Sequence, residues 1–355
     1  MANNTDISIS DESARAIRIW LLVIIGLIFA MVMLGGATRL TNSGLSITEW
    51  KPILGAIPPL TNADWLDAFD KYKKIPEYKL ENEGMSLSEF KYIYWWEWSH
   101  RFLGRFVGIV FFIPMLFFWI GGHLNRPLKF KLMVLFILGG LQGALGWYMV
   151  QSGLVKRVDV SQYRLAAHLG LAVFLIGAVY WVYLDLLKRL GQSITARLLR
   201  VKLWGTVLVA AIFSQILLGA LVAGIHAGKS HNTWPLMDGK IIPDGLAAMS
   251  PWYLNFFENV LTVQFDHRML GYLIFVLVIV QIYLVASRMG EGRHLSSIVL
   301  LFLAVVGQIA LGVWTLLTLV PLSLGLYHQA GAVIVLLISL THLHSLYYPR
   351  KHVHH

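Results

Sequence analysis

Long apolar runs separated by short polar connections fix the outline of this chain. A helix crosses the hydrocarbon core with about 20 apolar residues, and runs of that size occupy residues 19–40, 98–121, 130–151, 164–187, 203–225, 263–286, 296–319 and 326–347. The pattern predicts an all-α integral membrane protein with eight transmembrane helices, and an even number of crossings puts both termini on one side. Two connections are long, 41–93 and 226–262. In the first, NADWLDAFDKYKK sets Trp65, Leu66, Phe69 and Tyr72 on one helical face. Such an amphipathic helix either lies on the membrane or caps the first bundle, or else packs within its own loop. SLSE at 86–89 has capping-box form and starts the second span well before its apolar run. The opening MANNTDISISDESARAIR lacks the basic-then-apolar pattern and small-residue cleavage site of a removed leader, so the first helix is expected to be retained.

The second half of the chain echoes the first. HRFLG at 100–104 returns as HRMLG at 267–271, and QGALGW at 142–147 returns, one residue longer, as QIALGVW at 308–314. AAHLGLAV at 166–173 pairs with LYHQAGAV at 326–333, and GGATRLTNSG at 35–44 pairs weakly with GALVAGIHAG at 219–228. Four helices repeat as four helices pointing the same way, a parallel repeat about an axis along the membrane normal. The expected architecture is two pseudo-twofold-related four-helix bundles. A tail at 1–18 precedes the first bundle at 19–187 with its outer loop 41–93; a linker at 188–202 leads to the second bundle at 203–347 with its outer loop 226–262, and a tail at 348–355 follows.

Composition agrees, with 57% hydrophobic and 14% charged residues. The net charge of +10 invites a nucleic-acid reading, but its distribution argues for topology. Arg15, Arg18, Arg126, Lys129, Lys131, Lys188, Arg189, Arg197, Arg200, Lys202, Arg288, Arg293, Arg350 and Lys351 all fall on the side of the termini, while short loops opposite hold only Lys156 and Arg157, with Arg164 at a helix start. By the positive-inside rule both termini are cytoplasmic, and no nucleic-acid partner is implied. Cysteine is absent, which excludes disulfides, thiolate ligands and cysteine nucleophiles.

Histidine placement carries the chemistry. His100, His168, His267 and His328 lie near the starts of the second, fourth, sixth and eighth spans, all of which start on the outer side. The four imidazoles therefore share one depth, two in each half. His123, His294, His342, His344, His352, His354 and His355 fall at cytoplasmic ends and His226 and His231 in an outer loop, where surface or interfacial positions are expected. One buried histidine is most simply a packing residue. Four at equivalent places of a repeat point to ligation, because helix packing asks for small residues and not for imidazole. Paired histidines on neighbouring helices hold a metal or haem iron in a bundle core, which gives two haem sites, one per half. Zinc is the competing metal, but a structural zinc site wants four ligands, and this depth offers no cysteine and few acids. Arg101, Arg105, Arg164 and Arg268 sit toward the aqueous side, placed for haem propionates or for lipid phosphates.

The halves differ three residues before the first histidine of each, where Glu97 in one is matched by Gln264 in the other. Glu97 shares a helix face with His100 and can accept a proton or orient water there; it can equally form an ion pair with Arg101 at i+4. The asymmetry predicts a reactive first half and an electron-transfer haem in the second.

In these residues, from GGATRLTNSGLSITEW through EWSHRFLGR, LQGALGWYMVQSGL and RLAAHLGL to HNTWPLMDGKIIP, FDHRMLGY and LYHQAGA, the chain resembles the haem A synthase family over nearly its whole length. The resemblance implies a membrane oxidoreductase converting a methyl group of haem O to the formyl group of haem A for cytochrome oxidase. It implies that His100 and His168 hold the substrate haem, that His267 and His328 hold a permanent haem b, and that Glu97 is the family's essential acid. Members with a cysteine pair in outer loops differ from this chain, which looks like the cysteine-free mitochondrial and proteobacterial class. A bacterial inner-membrane location follows, with haem sites toward the periplasm. An electron donor such as a ferredoxin system, docking of a haem O synthase and a homo-oligomeric state are compatible with it. Two axial histidines leave the iron no open position; either one ligand leaves, or electrons are withdrawn from the macrocycle and water held by Glu97 attacks the methyl carbon. NTWPLMDG at 232–239 is placed to lid the second site. The rival readings are a di-haem cytochrome b exchanging electrons with quinol and a transporter whose histidines relay protons.

Overall fold

The computed structural model describes residues 9–51, 54–154, 158–187, 198–290 and 292–347. Parts of the expected tails and linker (1–8, 188–197 and 348–355) lie outside the described residues, as do Lys156, Arg157, Lys188, Arg189, Arg197, Arg350, Lys351, His352, His354 and His355. The described residues form eleven α-helices: α1 (Asp11–Leu40), α2 (Asn62–Tyr72), α3 (Pro76–Leu80), α4 (Leu87–Ile120), α5 (Arg126–Gln151), α6 (Gln162–Leu186), α7 (Leu199–Gly224), α8 (Asn255–Glu258), α9 (Val260–Met289), α10 (Arg293–Leu317) and α11 (Leu322–Tyr347). Eight of these, all but α2, α3 and α8, are long and apolar enough to span a bilayer, and no strand occurs among the described residues.

Each span outruns its apolar core because polar ends carry helix signals of their own. Ser10 caps α1 by accepting from the Ser13 amide at 3.2 Å. Ser86 and Glu89 close the expected capping box on α4, so Glu97 stands about three turns inside a formed helix. Asn125 caps α5 and Asn259 caps α9 in the same way. The outward faces are apolar: Phe117, Ile120 and Phe130 are 65%, 77% and 71% exposed, a surface that suits lipid and would be costly in water. The protein is an integral membrane protein.

Packing divides the chain into two compact units, Met1–Arg164 with Phe174–Leu186, and Leu165–Val173 with Leu187–His355. In the first, α1 packs along α4, and α4 touches α2 and α5. Trp20 of α1 locks this pair by donating its indole N–H to the Val110 carbonyl at 2.9 Å while packing against Phe111 and Phe118. The α2 helix packs both ways, since Trp65, Phe69 and Tyr72 are buried against Tyr94 and Phe90 of α4 while Phe69 and Tyr72 also meet Tyr78 of their own loop. Leu66, placed on the same face by the sequence pattern, is 47% exposed instead.

The second unit contains a closed ring in which α7 packs on α9, α9 on α10, α10 on α11, and α11 on α7. Leu208, Ile212, Val278, Val285, Ile298, Leu301 and Leu336 fill its centre, joined by Val173 from the Leu165–Val173 stretch. Gly205 lets α7 approach Leu343, Leu346 and Gln281. One expectation fails here. His342 and His344, read as interfacial, are buried at 1% and 7% exposure. His342 is held by the Gln281 amide at 3.1 Å and by the Ser297 hydroxyl at 2.7 Å, polar partners from two neighbouring helices that remove it from the surface.

Candidate functional site

Within the second unit, α9 and α11 bring His267 and His328 together, with ring centres 6.5 Å apart and ring planes at 76°. An iron held axially by two imidazoles needs their centres roughly 6 Å apart, about 2 Å of metal–nitrogen bond and about 1 Å of ring radius on each side. The spacing fits one metal atom between them. His267 Nδ1 is buried without a hydrogen-bond partner, and an orphaned ring nitrogen of this kind is what a bound metal or its surroundings would satisfy. A Cβ on Gly219 would stand 3.2 Å from the His267 ring, and one on Gly312 would stand 2.7 Å from that of His328, so both rings lie where only glycine leaves room.

Two glutamines brace these histidines and were not anticipated. Gln215 on α7 donates to the His267 carbonyl at 2.8 Å and faces its ring nitrogen at 3.3 Å. Gln308 on α10 donates to the His328 carbonyl at 2.8 Å and faces its ring nitrogen at 3.1 Å. For Gln308 the signal was present in the repeated QGALGW and QIALGVW, where the glycines drew attention and the glutamines did not; Gln215 lies outside both motifs.

The first unit holds Glu97, His100, Arg101, Arg105 and Arg164; His168 belongs to the Leu165–Val173 stretch of the second. A Cβ on Gly35 would stand 3.1 Å from His100 Nε2, matching the contact of Gly219 with His267 at the position the repeat pairs with it. Met31 lies 3.5 Å from a Cβ built on Gly104, as Gln215 does from one on Gly271. Met31 thus stands where the second half has its bracing glutamine.

Glu97 is 2% exposed and fully engaged. Its Oε1 takes the Arg101 guanidinium at 2.6 Å, and its Oε2 takes the Ser46 hydroxyl at 2.8 Å and the Ile47 amide at 2.7 Å. All three partners donate. Arg101 also donates to the Ile47 carbonyl at 2.8 Å and the Glu49 carbonyl at 3.1 Å, so the pair clasps the connection after α1 onto α4. Glu49 adds hydrogen bonds to Lys71 and Lys51, which hold its own carboxyl below the usual carboxylate range. The four candidate arginines share this habit of gripping backbone. Arg105 donates to Lys51 O at 3.0 Å. Arg164 donates to Tyr148 O at 2.6 Å while lying over the Tyr148 ring, and Arg268 donates to His231 O at 2.8 Å and Thr233 O at 2.9 Å. Arg268 Nε remains buried without a partner. The 231–239 segment is thereby tied to α9, with Trp234 adding a bond to the Tyr272 hydroxyl at 3.0 Å.

Gln264 occupies the place of Glu97 and reverses its role. Its amide nitrogen donates to the Ala227 carbonyl at 2.6 Å and the Ser230 carbonyl at 2.5 Å, while its oxygen accepts from Arg268 at 2.7 Å. A further acid also escaped sequence reasoning: Glu77 on α3 is 4% exposed, and burial pushes its carboxyl up to about 8.

Comparison with known proteins adds a direct finding. Residues 18–340 match the family described as cytochrome oxidase assembly protein. The chain is 51% identical over 337 residues to the protein named heme A synthase of Parvibaculum lavamentivorans, covering 95% of this chain and 96% of that one. It is similarly 51% identical over 337 residues to the heme A synthase of Bradyrhizobium diazoefficiens, covering 94% and 92% of the two chains. It is 50% identical over 337 residues to that of Nitrosospira multiformis, covering 94% of each.

Proposed function

The chain belongs to the family of cytochrome oxidase assembly proteins, and from that premise we propose that it acts as a haem A synthase, a membrane oxidoreductase that converts a methyl group of haem O to the formyl group of haem A. The relatives favour this over a cytochrome that only passes electrons to or from quinol. One structural observation supports the reading most directly: two half-buried imidazoles with ring centres 6.5 Å apart in the second unit, braced by Gln215 and Gln308. His267 and His328 would hold a haem b there, which when bound supplies a one-electron carrier. Arg268, whose Nε has no partner, is the nearest candidate for a propionate. His100 and His168 are assigned to the substrate haem from the repeat, the Glu97–Gln264 difference and the family resemblance, and Arg101, Arg105 and Arg164 to its carboxylates from their places toward the aqueous side. The domain limits given above belong to the same proposal, as does a bacterial inner-membrane setting with cytoplasmic termini and periplasmic sites.

Glu97 is the residue we assign to proton handling on the substrate side. Oε2 already accepts from two donors, so a proton or water reaches that oxygen when one of them lets go, and Ser46 is the easiest to release. The Ser46 hydroxyl already lies 3.3 Å from the Ile93 carbonyl, a second acceptor to which it can turn. That turn opens Oε2 to a water molecule, while Arg101 keeps the carboxylate aimed. The buried setting strengthens each of these bonds relative to water. A haem O synthase and an external electron carrier, such as a ferredoxin system, that exchanges the electrons of the oxidation are the partners we assign to this activity.

Pigment extraction from the purified protein, made with and without a supply of haem O, tests the assignment. Haem b is expected in both preparations, and haem O with haem A only in the first. A preparation that carries haem b alone under both conditions would overturn the synthase reading.

A further inference from the structure

Glu77 is a buried acid that the activity described so far leaves unused. It sits on α3 beneath α2, at 4% exposure, in a cap sealed by Tyr72, Phe90 and Phe69 over the first turns of α4. Among the described residues its carboxyl accepts one hydrogen bond, from the Tyr72 hydroxyl to Oε2 at 3.3 Å, and that hydroxyl in turn accepts from the Asn82 amide at 2.8 Å. Among the described residues no cation pairs with it. Glu97, by contrast, is matched by a guanidinium and two further donors. Two buried carboxyl groups within reach of each other's charge, one ion-paired and one not, cannot both carry a negative charge cheaply. Environments that split a pair in this way assign one member as the ionised partner and the other as the proton holder.

We propose that Glu77 is a proton-exchange group that works through Glu97: each time Glu97 takes up a proton, Glu77 releases its own to water at the loop surface. It regains one when Glu97 is ionised again. The exchange breaks one O–H bond on Glu77 and makes one on surface water, with no change in the number of buried charges. Exposed Glu81 and half-buried Asn82 mark where α3 reaches that surface. Glu77 is a positioning residue for charge and does not touch the reacting atoms. The proposal rests on Glu97 as the proton-handling acid.

One group bonds to Glu77 and three others act on it through their charge. They are Tyr72 from α2, Glu81 at the end of α3, Glu97 from α4, and Asp159 ahead of α6, itself tied to Arg39 at 3.0 Å. Burial is the main cause of its raised proton affinity, the Glu97 charge comes next, and the Tyr72 hydrogen bond opposes both. Below about 8 the carboxyl is neutral, and it loses its proton as pH rises through that value.

Infrared titration of the purified full-length protein reads this directly. A protonated-carboxyl band is expected at pH 7 and absent from Glu77→Gln, bleaching near pH 8 in the unaltered protein. In Glu97→Gln its midpoint should move to lower pH, because the charge that holds the proton on is gone. No Glu77 band at pH 7, or a midpoint that ignores the Glu97 substitution, would overturn the exchange. Neither readout depends on haem A being made, so failure of the synthase assignment is told apart by pigment extraction. Activity supplies the second arm. Glu77→Gln preserves the shape and neutrality of the resting acid, so a purely structural Glu77 predicts an unchanged pH profile and turnover. The exchange role predicts roughly tenfold or greater loss at pH 7 and disappearance of the alkaline limb near pH 8.

Discussion

The mouths of α4 and α9 differ by one atom type and by the polarity of everything around it. At both, an arginine four residues on grips two backbone carbonyls of the preceding loop and the side chain at the variable position. In the first unit that side chain is Glu97, and the loop turns an amide and a hydroxyl toward it; in the second it is Gln264, and the loop turns two carbonyls toward it. The loops have therefore folded to opposite polarity around the same clasp. A glutamate for glutamine difference read as chemistry alone is also a difference in how the neighbouring backbone is turned, and each half will resist receiving the other's residue.

Five substitutions break or sharpen that contrast. Loss of either proposed haem ligand is expected to have the largest effect: His267→Ala or His328→Ala should remove the proposed haem b complement altogether while the protein remains membrane-inserted, as measured by extracted haem per chain. Retention of a full complement would separate these residues from the iron. Next comes Glu97→Gln, which keeps shape and removes charge. It should still bind haem but lower formyl product by about 100-fold or more, in the range typical of a lost acid or base, scored by chromatography of extracted pigments. Gln264→Glu should act on stability instead, costing about 3 kcal/mol because a carboxylate would face the Ala227 and Ser230 carbonyls. A thermal midpoint in detergent unchanged from the parent would refute the polarity argument. Smallest is Gln215→Met, which copies Met31 of the first half and deletes one bond to the His267 carbonyl at about 1 kcal/mol. Its signature is a shifted haem absorption band with the haem retained.

Much of this was written in the chain. Eight apolar runs gave eight spans, because the bilayer imposes one length on any helix that crosses it. The true ends lay further out, since Ser10, Asn125 and Asn259 extend helices by hydrogen bonds that hydropathy does not register. The pairing of His267 with His328 was legible because a repeat ties sequence position to depth. Glu77 was not, for its burial comes from aromatic rings on α2 and α4 that meet only after folding. His342 was misread for the reverse reason: a position near a span end looks wet, yet Gln281 and Ser297 arrive from other helices to enclose it. The glutamine braces were visible but unspecific, because a polar residue in a span has several explanations until its partner is known.

The arginine clasp has a consequence for how these loops can change over evolutionary time. Arg101 and Arg268 hold Ile47, Glu49, His231 and Thr233 by main-chain oxygens, which every amino acid supplies. Side chains at those four positions are free to drift without loosening the attachment. Insertions or deletions are not, because a shift of one residue would swing the gripped carbonyls out of the guanidinium's reach.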